Sequence, residues 1–281
     1  MLISGVHKRL IVMSLYIENI VTDQLLSSDI KTLIPDAGLR RRMSKVIKMA
    51  VSTAVECLGS VENISELDAI ITATGYGCLA DSERFLRNVI VDKEDLLNPT
   101  PFIQSTFNTV GGQIALLGHN HCYNMTYVNR SHSFEDALLD AVMRAEDGEA
   151  SRILVGAFDE KTDSLYEIMR RMGVWRKGEC GEGAMFAVMT AEKSSESLAE
   201  VTGIHFPETP LSAEECMKEY STSPDAVVLW NSFEQCGHFP TASAMMFAEA
   251  VRLIANGAPE VIIYNGLWNC NPAVCTLKCI G

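Results

Sequence analysis

The chain has 281 residues, 47% apolar and 21% charged, with a formal net charge of −13. That length suits one large domain or two fused halves, and the apolar share is enough for a sizeable buried core. The acidic balance argues against a nucleic-acid binder, which needs a basic face to neutralise phosphates. No apolar run approaches the roughly 20 residues of a membrane helix.

In chain order, residues 1–12 read as a leader outside the fold. "KRLIVMSLYIENI" has the outline of a signal peptide, with two positive charges before an apolar octet, but Glu18 soon follows and no small-x-small cleavage site is present. The expectation is therefore a start at Met13 and a cytoplasmic protein. "LYIENIV" (15–21) predicts a first strand, and "LRRRMSKVIKMAVSTAVECLG" (39–59) a helix closed by Gly59 as its C-cap. The first ten residues of that helix hold five positive charges. They suit either a solvated face with Met43, Ile47 and Ala50 turned inward, or a docking patch for an acidic partner.

"LDAIITATG" (67–75) is β-branched and closed by glycine, a buried strand, and "DSERFLRNVIV" (81–91) predicts a helix with Asp81 as N-cap. The two prolines of "NPTPFIQS" (98–105) predict a non-helical segment. In "TVGGQIALLGHN" (109–120) the adjacent glycines permit close backbone approach. "MTYVN" (125–129) and "RILVGAFD" (152–159) are expected as buried strands flanking the helix "SFEDALLDAVMRAEDG" (133–148), and "AMFAVMTAE" (184–192) follows a glycine turn. The last third offers strands "AVVLW", "EVIIYNG" and "AVCTLKCI" and one long helix, "TASAMMFAEAVRLIANG" (241–257). Repeated β–α alternation implies an α/β architecture; spacing alone leaves open one sheet or a pair of related layers.

Of nine cysteines, those in "CNPAVCTLKC" (270–279) match no zinc spacing, and scattered cysteines without a signal peptide suit reduced, buried thiols. His119 and His121 stand two apart without an evident third ligand. Neither a metal nor a cofactor is expected.

Three segments in order carry a family resemblance: "PFIQSTFNTVGGQIALLGHNHCYNMTYVNRSHSFEDALLDAVMRAEDGEASRILVGAFDE", "GEGAMFAVMTAE" (181–192) and "GHFPTASAMMFAEAVRLI" (237–254). They resemble the β-ketoacyl synthase family in its Asn-x-x-x-Gly dimer helix, nucleophile turn, "GGxE" strand end, "GEGA" hairpin and "GHxxxAxG" histidine helix. The resemblance covers the chain from Met13 and is greatest to short chain-length-factor proteins of bacterial aryl-polyene and related polyketide clusters. It implies a thiolase-like fold of two related halves layered α-β-α-β-α, usually dimeric. Residues 13–281 would form one ketosynthase-like domain, with an N-terminal half to about 195 and a C-terminal half, 196–281, that is abbreviated. It also implies a dimer interface at Asn108, Gly111 and Gly112.

Decarboxylative condensation in this family needs a thiolate at a helix N-terminus and donors for the developing oxyanions. The turn that would carry the cysteine reads Asn129-Arg130-Ser131-His132-Ser133; an ungapped count back from "RILVGAFDE" puts His132 at that position, and one inserted residue puts Ser131 there. His238 matches one family histidine; the lysine expected five residues earlier is Phe233, and "LWNS" (229–232) stands where the second histidine would lie. Ser133 as N-cap with Asp136 at N3 nears a capping box, and Glu135 or Asp136 would offset the helix dipole. The resemblance thus implies a non-catalytic partner of an active ketosynthase subunit, with an acyl carrier protein as a further partner. The alternatives are an acyltransferase or thioester hydrolase using Ser131 with His132 or His238, or a homodimeric acyl-ligand binding protein.

Overall fold

The computed structural model describes residues 14–91, 98–174, 179–230, 236–267 and 272–280. Strand β1 (Leu15–Thr22) leads through short helices α1 (Ile30–Leu33) and α2 (Ala37–Arg42) into α3 (Lys45–Leu58), which ends at Gly59 with φ 78°. The basic segment is therefore two helices broken at Met43 and Ser44, with Met43, Ile47 and Ala50 buried as the inward face. Next come β2 (Ala69–Ala73), α4 (Leu79–Val91), α5 (Pro99–Gln104), α6 (Thr109–Leu117), β3 (Tyr123–Tyr127), α7 (Ser133–Glu146), β4 (Arg152–Asp159), α8 (Asp163–Arg171) and β5 (Gly183–Thr190). The remainder is β6 (Ala199–His205), α9 (Ala213–Tyr220), β7 (Val227–Trp230), α10 (Ala242–Ala255), β8 (Glu260–Asn265) and β9 (Ala273–Lys278).

Local expectations fail at four further places, each for a physical reason. Residues 99–104 are helical despite two prolines, because Pro99 and Pro101 lie in the first turn, where the backbone N–H has no helical partner to lose, and Asn98 caps Thr100 N. Asp81 is not an N-cap; the helix begins at Leu79 and carries Asp81 into the interior. Ser133 is the first helical residue rather than the cap; its hydroxyl accepts from Asn129 N and donates to the Arg130 carbonyl, both at 2.8 Å. β3 is an edge strand with exposed residues instead of a buried one.

The sheet runs β3-β2-β4-β5-β1-β6-β9-β8-β7. β3, β2 and β4 are parallel, and β5 and β1 antiparallel to their neighbours. The same pattern recurs beyond the β1–β6 junction: β7 and β8 are parallel, β9 antiparallel to β8, and β6 antiparallel to β9. β2-β4-β5-β1 thus repeats as β7-β8-β9-β6, α7 and α10 fill equivalent places before β4 and β8, and among the described residues β3 has no counterpart.

Strand alternation sorts the side chains into layers. Ala69, Ile71 and Ala73 of β2, Ile153 and Val155 of β4, and Val261 and Ile263 of β8 face a central core with α7 and α10. Ile70, Leu154 and Phe186 face the opposite side, against α3 and α6. Ile262 and Tyr264 meet Cys216 of α9 in a third, smaller core. The order is helices, first strand set, α7 with α10, second strand set, helix. Phe134 and Phe247 meet edge to face at 5.3 Å where the central helices pack.

Candidate functional site

The parallel strands β2, β3 and β4 end where α7 starts, and β8 ends beside them; such strand ends are where open α/β sheets bind ligands. The turn after β3 bends sharply: Arg130 holds φ 52°, a left-handed conformation that costs a non-glycine residue about 1–2 kcal/mol. Asn129 Nδ2 donates to Asp136 at 2.8 Å, fastening the turn to the first turn of α7.

Ser131 is 2% exposed. Its carbonyl accepts from Asn265 Nδ2 at 2.8 Å, and the same amide donates to Glu135 Oε1 at 2.8 Å. Glu135 is therefore no exposed dipole partner: it is buried between α7, β8 and Ser243 of α10, and burial pushes its carboxyl up while Asn265 and Ser243 oppose. The His132 ring lies edge-on to Phe206, centroids 5.6 Å apart.

His238 lies on a different segment. Its N–H donates to the Glu179 carbonyl at 2.8 Å and its carbonyl accepts from Gly181 N at 3.1 Å, so the "GEGA" hairpin and the "GHFP" entry to α10 are bonded to each other. Both glycines are required by this approach. A Cβ at 181 would fall 2.0 Å from the Cys236 carbonyl oxygen, and Gly237, at φ 78°, would place one 2.8 Å from Gly181 Cα. Gly75, after β2, packs against Pro240, and a Cβ there would also meet the Arg130 carbonyl, so the turn and the α10 entry come together at this glycine. Phe233 and the last two residues of "LWNS" lie outside the described residues.

Asp159, at the end of β4, binds these pieces. Its Oδ1 accepts from Thr74 Oγ1, Gly75 N and Tyr76 N at 2.9, 3.0 and 2.7 Å; its Oδ2 accepts from Thr241 N and Oγ1 at 3.1 and 2.8 Å. Burial pushes the Asp159 carboxyl up, against the pull of these donors. Sequence reasoning missed Asp159, Thr241 and Asn265 as site residues. A polar residue ending an apolar strand, as in "EVIIYN" and "RILVGAFD", was the available signal.

No cysteine stands between residues 122 and 180. Of those near this end of the sheet, burial pushes the Cys78 and Cys180 thiols up, and Cys236 to about 11, disfavouring the thiolate that attacks. Among the described residues no group of three histidine, cysteine or carboxylate side chains is placed to hold a metal.

The implied interface residues lie at the β3 edge. Gly111 is buried, and its missing Cβ makes room for the Asn124 side chain; Gly112 is exposed with nothing within 4 Å of a Cβ. Asn108 precedes α6 and is exposed. Phe107, Leu116, Met125 and Val128 are 46, 59, 41 and 42% exposed around them.

The repeated strand order around two central helices is that of a thiolase-like fold. The family model of the beta-ketoacyl synthase N-terminal domain matches residues 26–219, more than half of the chain. This chain belongs to the β-ketoacyl synthase family. Similar solved structures include the ishigamide ketosynthase/chain length factor, with TM-score 0.70 and 15% identity over 91% of this chain and 86% of that one. A type II polyketide synthase ketosynthase complexed with its acyl-carrier protein, AntDE:AntF, gives TM-score 0.77 and 13% identity over 95% and 100%. The ketosynthase ApeO with its chain length factor ApeC from Xenorhabdus doucetiae gives 0.59 and 13% over 95% and 99%. At these identities the likeness is one of fold. No curated protein matches the chain, and no helix among the described residues is long and apolar enough to cross a membrane.

Proposed function

We propose that this chain is a non-catalytic ketosynthase homologue that pairs with an active ketosynthase and helps set product length in a fatty-acid-like or polyketide pathway. The observation that carries this reading is the turn at 129–133: it keeps the strained geometry before a central helix, yet presents a buried serine and no thiol. Its carbonyl is pinned by Asn265. Two of the similar structures are ketosynthases with chain length factors, which supports a ketosynthase as the partner.

The docking face is the open edge of β3 with α6. Gly112 lets a second backbone approach, Asn108 lies beside it, and the exposed Leu116, Met125 and Val128 give apolar area to bury. Arg41 and Arg42, exposed at the end of α2, would suit an acidic acyl carrier protein.

The test is coexpression with a ketosynthase encoded beside this chain, followed by copurification and mass measurement. A stable one-to-one complex, lost in Leu116→Asp, is the expected outcome; a homodimer with copurifying lipid would favour an acyl-ligand binding protein. Intact mass after incubation with acyl thioesters completes it. An adduct absent from Ser131→Ala would overturn the non-catalytic reading and make Ser131, with His132 or His238, an acyl-transfer site.

A further inference from the structure

α4 is held to the body in an unusual way. Of its thirteen residues the single buried one is Asp81, a carboxylate, 0% exposed. Neither Asp81 oxygen has a hydrogen-bond partner, and its nearest cation, the largely exposed Arg84, stands 3.8 Å off. A buried carboxylate left this way needs an explanation, since burial without partners is costly.

The neighbour is Glu160, the residue after β4, 2% exposed, whose Oε1 accepts from Ala80 N at 2.9 Å at the start of α4. Fully buried Cys78 senses both carboxyls, which join burial in pushing its thiol up. Glu182 of the "GEGA" hairpin also faces Glu160, and Lys45 of α3 is already paired with Glu182, which accepts Lys161 N as well. Glu83, further along α4, accepts the Thr162 hydroxyl at 2.5 Å. The cations in reach are thus spent on other groups or exposed.

We infer that Glu160 and Asp81 form a proton-operated latch on the first turn of α4. With Glu160 protonated, no second charge faces Asp81 and the turn stays seated. When the Glu160 proton leaves to water, two carboxylates face each other out of solvent, and their repulsion lifts the turn until water reaches them. Burial first, then Asp81 and Glu182, push the Glu160 carboxyl up to about 7, which puts the change near neutrality.

Hydrogen–deuterium exchange of the full chain alone, from pH 5.5 to 8.0 and corrected for the intrinsic pH dependence, tests this without any partner. Peptides covering 79–91 are expected to lose up to about tenfold protection per pH unit as the pH rises towards about 7, and to level off above it, with α3 unchanged as reference. Glu160→Gln should abolish the pH dependence. Constant protection in the wild type, or the same loss in Glu160→Gln, overturns the latch. If Glu160→Gln does not fold, Asp81→Asn is read instead: a smaller loss that levels off at lower pH supports the latch, and a loss identical to that of the wild type overturns it.

Discussion

Replacing Asp159 by alanine should be among the most destabilising single changes in this fold. The carboxylate receives five donors, three of them backbone N–H groups of Gly75, Tyr76 and Thr241. The threonine hydroxyls can turn to other acceptors, but the three N–H groups cannot. Each buried orphan costs roughly 1–3 kcal/mol, so the loss is about 3–9 kcal/mol against the ~5–15 kcal/mol that holds a domain together. Asp159→Asn keeps the shape. Its oxygen can serve the three donors after β2, while its NH2 meets Thr241 N and leaves one group unpaired, for about 1–3 kcal/mol. Urea denaturation followed by far-ultraviolet circular dichroism should give midpoints falling in the order wild type, Asp159→Asn, Asp159→Ala, with unchanged slope. An Asp159→Ala loss under about 1 kcal/mol, or an asparagine variant as weak as the alanine one, would refute the claim that this carboxylate ties the β2 turn to α10.

Gly181→Ala should cost ~2–4 kcal/mol, because the added methyl meets the backbone of 236 and 237 rather than a movable side chain, and thermal melting will show it. Stability should also fall with rising pH on account of Glu160. Its folded value, about 7, lies above the ordinary 4.5, so the folded state binds more protons in that window. The stabilisation is complete below about 4.5 and lost through 7, by at most ~3 kcal/mol. Urea midpoints at pH 6 and pH 8 should differ in the wild type and converge in Glu160→Gln.

Much of the fold was legible because burial writes a period into the chain. "LDAIITATG", "RILVGAFD" and "EVIIYNG" read as strands since both faces of each are covered, and the long helix 241–257 since one apolar stripe meets the central core. "MTYVN" read falsely because residue type does not tell a central strand from an edge. "NPTPFIQS" read falsely because proline's effect depends on which helical turn receives it.

The sequence by itself determined the family, the absence of a cysteine from the turn at 129–133, and the glycines at 181 and 237. These follow from residue identity in order along the chain. Only the tertiary structure decided what those residues touch. Asp159 and Thr241 are 82 positions apart, Asn265 and Glu135 130 apart. Glu135 reads as a surface carboxylate until α10 and β8 close over it, and Asp81 as a cap until α4 begins two residues early. Partnerships across such separations are set by how the two halves fold around α7 and α10, and no local period encodes them.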